Sequence, residues 1–205
     1  MIKRIFCIAL VAALSFGAAF AQKKSSKLKK SVFLIGAQNQ SSKYGSLVDL
    51  KGKKVYKIAD VPEQEDIDFM YAYGKSTKLV LMTPTSGNVR NYGKNYREKI
   101  GEGWYNKNNG RFVVIKDRKQ AKKLYKSLKT KADLEDAYAF KAKEVKTLED
   151  YKLTTHGPSK SVVDLQMGDV ILFRSYDRKF YAVGMIKDYE EGFKGHIEIE
   201  FKVSE

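Results

Sequence analysis

The chain has 205 residues, 39 of them Lys or Arg and 24 Asp or Glu, for a formal net charge of +15. Its one cysteine, Cys7, excludes an intrachain disulfide framework, so the fold must rest on core burial. A chain this long can supply that core, burying roughly 70% of the surface its unfolded form exposes. The charge excess bears on solubility and on affinity for polyanions rather than on fold.

Residues 1–21 read as an export signal. Lys3 and Arg4 form a cationic start, Ile5 to Phe16 an apolar run, and Ala19-Phe20-Ala21 a small-residue cleavage site before Gln22. A lipidated cysteine would follow the apolar run, whereas Cys7 lies inside it, so the reading is a cleaved signal and not a lipoprotein. Export to the periplasm or medium follows. Cleavage leaves no membrane-spanning segment in the mature chain and removes two positive charges with no negative ones. Residues 22–30 (QKKSSKLKK) read as a basic disordered tether, and residues 31–205 as a single domain.

Within that domain, Ser31 to Gly36 is a short apolar run bounded by turn formers, the pattern of a buried strand. Ser46–Leu50 and Lys54–Ile58 flank Gly52 as a hairpin. Ile67–Tyr73 and Lys78–Met82 are two further strands, the second closed by Pro84. Residues 84–110 change to Thr, Ser, Gly, Asn, Tyr and basic residues. A short helix around Tyr92 to Ile100 is opposed by Gly93, Gly101 and Gly103, so a long loop is predicted there. Arg111–Lys116 is a buried strand.

Asp117 can cap a helix over Arg118–Lys129, in which Ala121, Leu124, Tyr125 and Leu128 share one face. Thr130 and Asp133 resemble a capping box opening a second, weaker helix, although Tyr138, Phe140 and Ala142 also alternate as in a strand. Val170–Arg174, Phe180–Ile186 and His196–Val203 are three strands with short links, an antiparallel meander. The fold class is therefore α+β: mainly antiparallel sheet, a C-terminal three-strand meander and one well-defined amphipathic helix.

Two residue sets suit an anionic partner. Lys119, Lys122, Lys123, Lys126 and Lys129 oppose the apolar stripe of the helix, where like charges three or four apart each cost about 0.2–0.5 kcal/mol unless a partner neutralises them. A solvated lysine face is the plain alternative. Arg90, Lys94 and Arg97 interleave with Tyr92, Tyr96 and Trp104, which suits stacking on sugars or bases beside an anion. The plain alternative is that these rings cover the core edge. In Leu165–Phe173, Gly168 allows a tight turn and Asp169 can accept from nearby backbone amides, a structural feature of small β-barrels.

Enzyme signatures are thin. His156 and His196 lie outside any metal-ligand spacing, and there is no nucleophile elbow or phosphate-binding glycine loop. Glu63, Glu65, Asp66 and Asp68 lack the pattern of a calcium loop, and Glu98 with Glu102 is a pair any chain this charged offers. No catalytic residue, metal site or cofactor is assigned.

An ordered series of motifs carries a resemblance over residues 31–203. Ser46-Leu-Val-Asp-Leu50 with Val55-Tyr56 leads to Ile67-Asp-Phe-Met-Tyr-Ala-Tyr-Gly74, then Leu79-Val-Leu-Met-Thr-Pro84. Leu165-Gln-Met-Gly-Asp-Val-Ile-Leu-Phe173 and Lys179-Phe-Tyr-Ala-Val-Gly-Met-Ile-Lys187 complete it. The series resembles secreted or surface domains of unknown function common in Bacteroidetes, and Ala-Phe-Ala before Gln22 is similar to export signals of that group. The resemblance implies a β-rich extracytoplasmic domain in a bacterial envelope, with no activity attached. Many such domains look lipid-anchored; the position of Cys7 departs from that. The expected function is a non-enzymatic binding module for an anionic glycan, lipopolysaccharide or another polyanion, with nucleic acid the weaker fit. A small hydrolase using His156 or carboxylates, and a structural envelope component without ligand, are the alternatives.

Overall fold

A computed structural model describes residues 27–38 and 43–204. The export signal and residues 22–26 of the tether lie outside the described residues. The chain runs β1 (Lys29–Gly36), β2 (Leu47–Asp49), β3 (Lys54–Tyr56), β4 (Phe69–Gly74), β5 (Lys78–Met82), β6 (Gly110–Ile115), α1 (Arg118–Ser127), α2 (Lys131–Glu144), α3 (Leu153–His156), β7 (Ser161–Val162), β8 (Val170–Ser175), β9 (Phe180–Glu190) and β10 (His196–Val203). The class is α+β, mainly sheet.

The strands form two five-stranded antiparallel sheets, ordered β1-β10-β9-β8-β6 and β3-β2-β4-β5-β7. Their facing sides share one core. Phe69 of β4 meets Phe112, Phe173 and Phe201 of the other sheet at centroid distances of 5.9, 6.0 and 5.6 Å. Because side chains alternate across a strand, β4 and β5 send Phe69, Tyr71, Tyr73, Leu79 and Leu81 inward and Met70, Ala72, Val80 and Met82 to the opposite side. Those outer residues are covered too, which is why both strands read as continuous apolar runs.

Each outer face carries its own lid. Val113, Val170, Leu172 and Val183 of the first sheet lie beneath Ala121, Tyr125, Leu134 and Tyr138 of α1 and α2. The outer face of the second sheet lies beneath residues 87–104, which pack Val89, Tyr92, Tyr96, Ile100 and Trp104 onto it. The molecule is thus four layers deep, with helices and the 87–104 segment outermost on opposite sides.

Several expectations need correcting. The basic tether does not extend to residue 30: Lys27 bridges to Thr130, and Lys29 and Lys30 belong to β1, paired with β10. The 84–110 loop is ordered, with a 3₁₀ segment at Gly87–Asn91 and a π-helical segment at Tyr96–Glu102. Its apolar residues recur every three to four positions, a helical signal that Gly93, with φ +96°, interrupts and so hides. The second helix forms as the Thr130–Asp133 capping box suggested, and it is the strand alternative for Tyr138, Phe140 and Ala142 that falls away. α3 and β7 were not anticipated, since neither is long enough to show a period.

Candidate functional site

Asp117 accepts from the Gln120 amide at 2.7 Å and so starts α1 as its sequence suggests. Ala121, Tyr125 and Leu128 are buried, which turns Lys119, Lys122, Lys123 and Lys126 to solvent. α1 contains no acidic residue, and among the described residues these four lysines and Lys129 form no ion pair. The lysine face is therefore unneutralised.

The edge pairing of β1 with β10 brings further cations to the end of α1. The Leu28 amide donates to the Lys129 carbonyl at 3.3 Å, laying the start of β1 along the helix terminus. A groove of about 400 Å³ opens there, lined by Lys27, Leu28, Lys30, Leu128, Lys129 and Lys202. Lys202 stands 4.2 Å over the Tyr125 ring and donates to the Leu128 carbonyl at 3.0 Å, so it also caps the helix end. Partial burial, with Lys129 and Lys30 close by, holds its ammonium below the ordinary lysine range. The nearby acid is Glu200, 2.8 Å from Lys30, 3.4 Å from Lys187 and 2.9 Å from the Tyr125 hydroxyl. Burial pushes the Glu200 carboxyl up, yet the hydrogen bonds from Lys30 and Tyr125 and the charge of Lys187 bring it below its usual value. Glu200 is thus already engaged by Lys30 and Lys187, and Lys27 and Lys129 stand exposed at the groove.

Arg90, Lys94 and Arg97 are exposed, but they sit over the other sheet. Lys94 and Arg97 face Glu98 at 3.9 and 3.7 Å. The two cationic sets lie on opposite outer faces of the sandwich and cannot grip one compact anion together. The rings expected beside the second set turn inward. Tyr96 is fully buried with its hydroxyl donating to the Tyr71 carbonyl at 2.6 Å, and Tyr92 and Trp104 are less than one-tenth exposed. Burial in the outer core removes the stacking faces that the sequence suggested.

The acidic cluster has a different role. Arg178 reaches Asp49 and Asp68, each at 2.9 Å, and Asp66 at 3.4 Å. Asp68 Oδ2 also accepts from the Leu50 amide, which pins the β2–β3 turn. Burial raises the Asp68 carboxyl to about 7 despite Arg178, with Asp49 adding to the rise. Asp169 does what its turn requires, accepting from the Gln166 amide at 2.9 Å beside Gly168 at φ +90°, and pairs with Lys116 at 2.9 Å.

His156, at the end of α3, is buried. Its Nδ1 accepts from the Lys152 amide at 3.2 Å, and Nε2 stands 4.0 Å from Asp150, beyond hydrogen-bond reach. Among the described residues no group of three His, Cys, Asp or Glu side chains could hold a metal ion, and no helix is long and apolar enough to cross a membrane.

A second groove, of about 670 Å³, lies where the β4–β5 turn meets residues 88–93 and the β9–β10 connection. Sequence reasoning missed it because its walls come from separate segments, none distinctive alone.

No known family model and no curated protein matches the chain. Among solved structures, a DUF4466 family protein from Parabacteroides merdae has a similar fold, with a TM-score of 0.53 at 15% identity. The similarity covers 87% of this chain and 54% of that one, so the chain spans about half the length of its structural neighbour. At this identity the likeness shows the fold alone; the neighbour comes from a Bacteroidetes organism and belongs to a family of unknown function.

Proposed function

We propose that this chain is a non-enzymatic binding module that holds an anionic polymer, a charged glycan or the core of lipopolysaccharide, along α1 and the adjoining start of β1. The observation that carries this reading is the convergence of Lys27, Lys30, Lys129 and Lys202 on one groove, continuous with the exposed lysines of α1. Such an arrangement repels itself, and a polyanion relieves it. The first 21 residues would deliver the module outside the cytoplasm, with cleavage after Ala21.

Retention on a heparin column tests the reading. The triple variant Lys122→Glu, Lys126→Glu, Lys129→Glu should elute at much lower salt than the native chain. Reversal of Arg90, Lys94 and Arg97 on the opposite face should leave elution within a small margin of native. Equal losses from the two triples would show that only overall charge matters and would remove the α1 site.

A further inference from the structure

The groove of about 670 Å³ falls in the range of small-ligand sites, and its lining divides into two groups with different duties. The first group is already committed to the protein. Gln38 donates to the Tyr73 carbonyl at 2.7 Å and accepts from the Tyr73 amide at 2.8 Å, standing in for a neighbouring strand. The Tyr73 hydroxyl donates to Glu191 at 2.9 Å, and the Tyr92 and Thr77 hydroxyls share a hydrogen bond of 3.0 Å. These contacts fix both tyrosine rings in the groove wall.

The second group is available. Asn88, Asn91, Ser76 and Thr154 line the groove, and among the described residues their side chains make no hydrogen bond within the protein. Phe193, 46% exposed, stands at the groove edge against Tyr73, with centroids 5.8 Å apart and rings perpendicular. Among the described residues, Lys75 is the one charged residue in the lining.

We infer that this groove binds a neutral saccharide chain, at a site separate from the lysine face. Three features select that chemistry. The half-exposed ring of Phe193, aromatic faces being electron-rich, suits the polarised C–H surface of a sugar ring. Amides and hydroxyls both donate and accept, which matches the hydroxyls around such a ring. An extended peptide would need a free strand edge, and Gln38 already occupies the backbone of Tyr73. A simple anion would find only Lys75.

The test is saturation-transfer NMR on the full mature chain with maltohexaose, xylohexaose, mannohexaose and chitotetraose, followed by titration of each sugar that responds. At least one should bind, with affinity unchanged by added salt and by reversal of Lys122, Lys126 and Lys129. Phe193→Ala and Asn91→Ala should each weaken it about tenfold. Both residues are exposed enough to replace without loss of fold, which the unfolding midpoint checks. Silence from all four sugars at about 10 mM, binding indifferent to both substitutions, or binding abolished by salt would each overturn the assignment. None of these outcomes bears on heparin retention, so the two sites fail or stand independently.

Discussion

Arg178 is the residue on which one corner of the sandwich depends. It faces three carboxylates, of which Asp68 is fully buried and Asp49 nearly so. Replacing it with Met would strand those acids without a cation, and urea unfolding should show a loss of about 3–5 kcal/mol. Asp68 also links stability to pH. Its carboxyl titrates near 7 in the folded chain against 3.8 as the reference value, so the native state holds a proton that the unfolded state gives up. Its contribution is full below about pH 4 and disappears as pH rises through 7. Relative to Asp68→Asn, the native chain should therefore lose stability between pH 5 and 7.5, measured by urea midpoints at each pH. Parallel curves for the two proteins would mean that Arg178 keeps Asp68 ionised throughout. Phe69, the residue after Asp68, packs against Phe112, Phe173 and Phe201 in the same core, and its truncation to Ala should cost about 3–5 kcal/mol.

At the scale of elements, α1 is the informative case. Lys119, Lys122, Lys123 and Lys126 repel one another at spacings of three and four, and the two basic residues of its first turn also oppose the helix dipole. Lys119→Glu with Lys123→Glu should raise the melting temperature of the free protein by a few degrees, in keeping with a gain of about 1 kcal/mol. The same change should weaken heparin retention. A variant that gains neither stability nor salt sensitivity would show that the lysines are indifferent to one another. α1, α2 and most strands were legible because each carries a full period or a clear cap, as Asp117 and Thr130 do. The 87–104 segment was not, because Gly93, Gly101 and Gly103 sit among residues whose spacing is helical. Its tyrosines could be read as ligand contacts only while their burial was unknown. The sequence pattern identified cations and aromatics; the sheet they cover decides which of them face solvent.

At the scale of the molecule, the layering separates residue sets that the linear chain places in neighbouring segments. Two sheets stand between α1 and residues 87–104, so a single binding surface combining the two sets is ruled out by topology. Pairing of β1 with β10 does the opposite, joining lysines at the start of the domain to lysines more than 90 positions later. That junction was invisible in the sequence, since register between distant strands depends on the whole core. The same holds for the second groove, whose walls meet only after both sheets are assembled. The similar fold in the Parabacteroides protein extends to the layering alone; at 15% identity it says nothing of either groove.

The central claim, that the cationic face at α1 and β1 grips a polyanion, is tested most directly by the salt dependence of heparin affinity. The logarithm of the binding constant should fall linearly with the logarithm of salt concentration, with a slope set by the number of lysines engaged, about four to six. Reversing Lys122, Lys126 and Lys129 should cut that slope by about half, whereas reversing Arg90, Lys94 and Arg97 should leave it unchanged. A slope near zero, or one that both reversals reduce alike, would contradict the account.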